Sequence, residues 1–164
     1  MGVLPTTDAR GDFGTLLGFV DAGIEHCRAG RWDKGVEYLR YVAACEPDGL
    51  GQAGLFLSYL GCAMARIQGS SAEGLALCEQ AVKNEFYQPE NWANLAEVLL
   101  LSGRRAEAIN AVEQGLDIDS SFVRLRQIQR RLGKRRPPVV RFLARSNLLN
   151  HLLGRVRAQI VRVS

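Results

Sequence analysis

A chain of 164 residues and 18.1 kDa holds about one domain's worth of core, which excludes an enzyme assembled from separate cofactor and substrate lobes. Apolar residues are 47% of the chain and charged residues 23%, so it can bury a core and is not disordered throughout. The formal charge of +4 hides a split: residues 1–119 carry nine Lys and Arg against all seventeen Asp and Glu, whereas residues 120–164 carry twelve Lys and Arg and no acid. Such asymmetry points either to a basic arm for nucleic acid or an anionic membrane, or to a tail that folds back on an acidic body.

Residues 1–15 form an N-terminal extension with no basic start and no apolar run, so no secretory signal is expected and the address is cytoplasmic. A first helix is expected over 16–29, where Phe19-x-x-Ala22-Gly23-x-x-His26 falls at helical spacing and Gly30 supplies the stop. The second, over 32–46, carries Gly35-x-x-x-Leu39 and is followed by Pro47. The third, over 50–68, contains Leu57-x-x-Leu60-Gly61-x-x-Met64 and stops at Gly69. Residues 49–65 are free of charge but include Gln52, Ser58 and four glycines, which falls short of a membrane span of ~20 apolar residues and reads as a buried helix. The fourth helix, over 71–86, carries Gly74-x-x-x-Cys78 and Ala81. The fifth, over 89–102, opens on Pro89 and contains Trp92-x-x-Leu95-Ala96-x-x-Leu99 before Gly103, and the sixth, over 105–117, carries Ala108-x-x-x-Val112 and Gly115. Ser120 or Ser121 can cap a seventh helix with Phe122, Leu125, Ile128 and Leu132 on one face and Arg124, Arg126, Arg130 and Arg131 elsewhere, ended by Gly133. Lys134-Arg135-Arg136-Pro137-Pro138 then makes 134–146 a basic, extended linker. Residues 147–164 hold an amphipathic helix whose stripe of Leu148, Leu149, Leu152, Leu153, Val156 and Ile160 is expected to dock on the chain's own repeats or on another subunit, a membrane surface being the competing destination.

The six helices of 16–117 are therefore three copies of one helix pair. Gly23, Gly61 and Ala96 recur at one place in the copy, and Gly35, Gly74 and Ala108 at another. Glycine in mid-helix costs ~1 kcal/mol relative to alanine, so these two places are expected to be where helix backbones touch. The pattern resembles the tetratricopeptide repeat, W-x-x-L-G-x-x-Y followed by A-x-x-x-F, A and P over 34 residues. His26 and Met64 replace its tyrosine, and the second unit has one extra residue before Gly74 and no closing proline. The resemblance implies an all-α, right-handed α-solenoid over 16–133, with three repeats and an arginine-rich C-terminal capping helix whose outer face stays solvated.

Chemistry of other kinds has no support in the chain. No phosphate-cradling glycine motif occurs, no catalytic residues are assigned, and no cofactor or small-molecule substrate is expected. Cys27, Cys45, Cys62 and Cys78 lie 18, 17 and 16 residues apart, without the short spacings of a zinc site, and read as reduced core thiols, so no metal is expected. His26 and Cys27 are neighbours on a helix, diverge by about 100°, and lack an orienting acid.

In the tetratricopeptide family the first helix of each unit lines a concave groove that receives a peptide or a helix. The resemblance transfers that role to Leu17, Val20, Ile24, Cys27 and Arg28, to Leu55, Ser58, Cys62, Ala65 and Arg66, and to Glu90, Ala93, Glu97, Leu100 and Leu101. This surface is mostly apolar, which suits a helix laid in a groove, although neighbouring helices could equally bury part of it. Family members that clamp a terminal carboxylate use lysine and asparagine here, and Val20 and Ile24 supply neither. The leading expectation is a non-enzymatic scaffold for a protein partner or for self-association. The alternative is that residues 124–162 bind nucleic acid or an anionic membrane, with the repeats as a platform.

Overall fold

The computed structural model describes residues 13–45, 53–69 and 71–133. Their elements are α1 (Phe13–Arg28), α2 (Trp32–Cys45), α3 (Gly54–Gln68), α4 (Ser71–Asn84), α5 (Pro89–Leu101), α6 (Arg105–Ile118) and α7 (Val123–Leu132), with no strand among the described residues. The helices α1, α3 and α5 each pack on the one that follows, α3 sits against α1 and α5, and α7 packs on α5 and α6. The architecture is an all-α helical-repeat solenoid.

The helix ends follow local chemistry. Gly30, Gly69 and Gly103 adopt φ of 77°, 68° and 73°, the left-handed stops expected at those positions. Three boundaries differ from the sequence reading by two residues or more, the first being the start of α1 at Phe13, inside the stretch read as an N-terminal extension to residue 15. Ala53 is extended, at φ −66° and ψ 122°, so α3 begins at Gly54 rather than at 50. The fourth helix ends at Asn84 rather than 86, because Pro89 takes the first position of α5 and biases the preceding Gln88 to an extended conformation. Phe86 and Tyr87 fill the intervening turn, where the Trp92 indole N–H donates to the Phe86 carbonyl at 2.7 Å. At the start of α7 neither serine is seen capping the helix: the backbone N–H and hydroxyl of Ser121 donate back to Asp119 at 2.8 and 2.6 Å.

The close-contact sites lie between the helices of a pair. A Cβ on Gly61 would stand 2.5 Å from the Gly74 carbonyl oxygen, and one on Gly74 would run into the Gly61 carbonyl. In the first pair a Cβ on Gly23 would meet Leu39 at 2.8 Å, and one on Gly35 would strike Cys27. Ala96 and Ala108 hold the same places in the third pair and are fully buried. One apolar cluster centres on the first two pairs with Leu39, Val42, Tyr59 and Ala63, a second on α5, α6 and α7 with Val98, Val112, Leu125 and Ile128, and Trp32 packs against both.

Candidate functional site

The first helices of the pairs, α1, α3 and α5, carry the residues expected to form a groove. On α1, Val20, Ile24 and Cys27 are buried, while Leu17 and Arg28 are exposed. On α3, Ser58, Cys62 and Ala65 are buried, Leu55 is half-buried and Arg66 is exposed. On α5, Ala93 and Glu97 are buried, Glu90 and Leu100 are half-buried, and Leu101 is 51% exposed. Eight of the fifteen are therefore covered in the folded chain, and Val20, Ile24 and Cys27 belong to the first apolar cluster.

A polar layer joins the three helices. Arg28 of α1 reaches across α3 to grip Glu90 of α5 with both carboxylate oxygens engaged, Nε to Oε1 at 3.0 Å and NH2 to Oε2 at 2.8 Å. The Tyr59 hydroxyl of α3 donates to the same carboxylate, and the Arg28 guanidinium lies 5.8 Å from the Tyr59 ring centroid. Side chains from the first helices of all three pairs therefore meet at one carboxylate. Burial raises the Glu90 carboxyl, but the bonds from Arg28 and Tyr59 outweigh it and hold it below the usual carboxylate range. Tyr59 is raised, by burial first and then by its bond to Glu90.

Deeper on α5, the buried Glu97 carboxylate gathers arginines from two other helices. Arg66 of α3 donates to Oε2, while Arg124 and Arg131 of α7 stand 3.4 and 3.9 Å from Oε1. Arg66 also lies over the Trp32 ring, 4.6 Å from its centroid. Between the two carboxylates runs a buried chain of neutral groups. Ser58 donates to Asn91 at 2.8 Å, Asn94 donates to Ser58 at 3.0 Å, and Arg124 donates to Asn94 Oδ1 at 2.7 Å. The buried side-chain nitrogens and oxygens among the described residues all have partners, as a stable polar interior requires.

Tyr59, Asn91, Asn94, Arg124 and Arg131 were not among the groove residues expected from the sequence. The first three lie on the same first helices but one step off the expected stripe, and a helical wheel gives no hint that a buried asparagine pair would bridge α3 and α5. Arg124 and Arg131 were placed off the apolar face of the capping helix and, in the alternative reading, within a basic segment for an outside partner; both pair with Glu97. The remainder of that segment, with the linker and the stripe from Leu148 to Ile160, lies outside the described residues.

Groups considered for chemistry are placed differently. His26 is half-buried, accepts a hydrogen bond from Arg31 at 2.8 Å and stacks on Tyr38. Burial pushes the Cys27 thiol up to about 12 and the Cys62 thiol up to about 11, which leaves both protonated and poorly nucleophilic near neutrality. No described helix is long and apolar enough to cross a membrane.

Solved structures share the fold of this chain. The second tetratricopeptide-repeat domain of human RPAP3, in complex with an HSP70 peptide, is similar at 18% identity and a TM-score of 0.57, covering 76% of this chain and 100% of that one. The chain has the tetratricopeptide-repeat fold. The tetratricopeptide-repeat domain of Arabidopsis OM64 is similar at 12% identity and a TM-score of 0.59, over 74% of this chain and 97% of that one. The first such domain of Spaghetti (RPAP3), bound to an HSP90 peptide, follows at 14% identity and 0.57, over 75% and 94%. No protein-family model matches the sequence, and no curated protein matches it.

Proposed function

We propose that the chain is a non-enzymatic scaffold whose face of α1, α3 and α5 receives a helix or an extended segment of a protein partner, or of a second copy of itself. The observation that carries this reading is the Arg28–Glu90 pair, which ties the first and third repeats across the second and so supports a common face on the first helices. Leu17, Leu55, Leu100 and Leu101 keep apolar area open to solvent there, the kind of side chain that a helix in a groove covers. The RPAP3 domains, similar in fold, are complexed with peptides of HSP70 and HSP90, which supports a protein segment as the class of ligand. The reading as a non-enzyme is supported by the site's own chemistry: its carboxylates are bound to arginines and its thiols are buried and protonated.

The basic segment remains the rival, and one experiment separates the two. The immobilised full chain is exposed to native cell lysate with and without nuclease, beside the variant Leu17→Glu with Leu101→Glu. Both substitutions fall on exposed side chains and are expected to leave the melting temperature nearly unchanged. A protein retained after nuclease treatment and lost with the double variant supports the scaffold. Capture abolished by nuclease and indifferent to the variant overturns it in favour of nucleic acid.

A further inference from the structure

Apolar surface gathers at one edge of the stack. Four of the seven large apolar side chains exposed among the described residues, Phe86, Tyr87, Ile118 and Val123, lie in or beside the turns from α4 to α5 and from α6 to α7, and Phe86, Tyr87 and Val123 are the most exposed of the seven. Each turn joins the second helix of a pair to the helix that follows, so both fall at the same edge. Trp92 links them: its indole N–H donates to the Phe86 carbonyl, and a Cβ on Gly115, near the end of α6, would stand 2.8 Å from the Trp92 Cβ. The Phe86 and Tyr87 rings meet edge to face with centroids 5.9 Å apart, and Phe122 and Val123 wall an open depression of about 520 Å³ at the start of α7. Charge within these turns has one sign. Residues 85–88 and 113–123 hold Glu85, Glu113, Asp117 and Asp119 and no lysine or arginine. Of the flanking cations, Lys83 is exposed, Arg124 donates to Asn94, and Arg126 donates to the Ser120 carbonyl.

We propose that this edge receives the C-terminal segment 147–161 of a second copy of the chain, with the segment's leucine stripe laid on Phe86, Tyr87 and Val123. The segment has the complementary chemistry: apolar side chains from Leu148 to Ile160 recur at helical spacing, His151, Arg155 and Arg157 flank them, and residues 120–164 contain no acid. A second copy supplies it because of where the chain leaves the repeats. The Leu132 carbonyl accepts a hydrogen bond from Arg105 at the start of α6, so α7 ends at the edge opposite these turns. A return within one copy would lead the basic run Lys134-Arg135-Arg136 back past the exposed Arg126, Arg130 and Arg131 of α7, like charge against like. Exchange between two copies avoids that path and covers, on each, an apolar edge of the kind that soluble monomers rarely leave open. The edge is distinct from the face that carries Leu17 and Leu101, so the inference stands apart from the reading of that face.

Sedimentation equilibrium on the full chain tests the proposal with two double variants. Tyr87→Glu with Val123→Glu alters the edge, and Leu152→Glu with Leu153→Glu alters the segment. The unaltered chain is expected to pair reversibly, and each variant alone to pair more weakly by about tenfold or more, with the melting temperature of the edge variant nearly unchanged. An equimolar mixture of the two variants should regain pairing, because the intact edge of one meets the intact segment of the other. Asp117→Lys, on an exposed side chain, should weaken pairing about threefold, and it decides should the edge variant fail to fold. A full chain that stays monomeric up to about 100 μM overturns the proposal. Pairing indifferent to the edge variant overturns it as well, and pairing lost only with Leu17→Glu and Leu101→Glu moves self-association to the face of α1, α3 and α5. A mixture that fails to pair overturns the exchange between copies.

Discussion

The helices α1 and α5 open the first and third repeats and hold equivalent places in the stack, yet opposite chemistry fills them. Where α1 carries Val20 and Ile24, α5 carries Ala93 and Glu97, and all four are buried. The aliphatic pair joins an apolar cluster, whereas Glu97 is compensated by Arg66 on one side and by Arg124 and Arg131 of the capping helix on the other. What the two helices share is the size of the residue that faces the second helix of the pair, Gly23 in one and Ala96 in the other. The fold therefore demands small residues at fixed places and tolerates either apolar burial or ion pairing along the rest of the helix.

The largest test of that contrast places charge where α1 has none to match it. Val20→Glu with Ile24→Lys should destabilise the protein by about 3 to 5 kcal/mol, because the two new charges find only each other inside an apolar cluster, where taking both out of water outweighs a single ion pair. Leu101→Glu on α5, exposed, should shift stability by no more than about 0.5 kcal/mol. Chemical denaturation measures both, and a neutral double variant would mean that the α1 side chains are open to solvent.

Titration separates the two regions next. Cys27 and Cys62 lie on α1 and α3, and burial raises their thiols from 9.0 to about 12 and about 11. The unfolded chain loses these protons first, so their contribution is whole below pH 9 and disappears as pH rises from 9 towards 12. Glu90 of α5 behaves in the opposite sense: its carboxyl is lowered, so its contribution is present above about pH 4.5 and is lost as pH falls below that. Melting curves should therefore fall at both extremes, and Cys27→Ala with Cys62→Ala should flatten the alkaline side alone. An alkaline limb unchanged by that variant would mean that the thiols are not the groups responsible.

Overpacking at the shared small site comes third. Ala96→Leu and Ala108→Leu should each cost about 1 to 3 kcal/mol, since both positions are fully buried at the contact of α5 with α6. These sites were legible in the sequence because glycine or alanine recurs there in three copies, and a mid-helix glycine needs a reason. The helix pairs, the glycine stops and the capping helix were legible for the same cause: period and punctuation survive when side-chain identities drift. The polar layer was not. That Glu97 would meet arginines 31 residues before it and 27 and 34 after it depends on how α3 and α7 settle against α5, and no spacing along one helix encodes that. Which groove positions would be covered, Val20 and Ile24 among them, stayed open for a related reason, because a position that faces a groove in one repeat can be covered by neighbouring elements in another.

The smallest effects are the most discriminating, because they set propensity against packing within one substitution type. Alanine is the better helix former by about 1 kcal/mol, so Gly→Ala in a helix stabilises wherever there is room for the methyl group. Gly18 of α1 has such room, with nothing within 4 Å of the place its Cβ would occupy. Gly18→Ala should add about 0.5 to 1 kcal/mol. Gly61 of α3 lacks it, since its Cβ would stand 2.5 Å from the Gly74 carbonyl oxygen, a backbone atom that cannot swing aside. Gly61→Ala should lose stability despite the gain in propensity, as α3 and α4 are forced apart. A pair of melting curves shifted in opposite directions is the expected result; two shifts of the same sign would show that backbone contact does not set the register of the repeats.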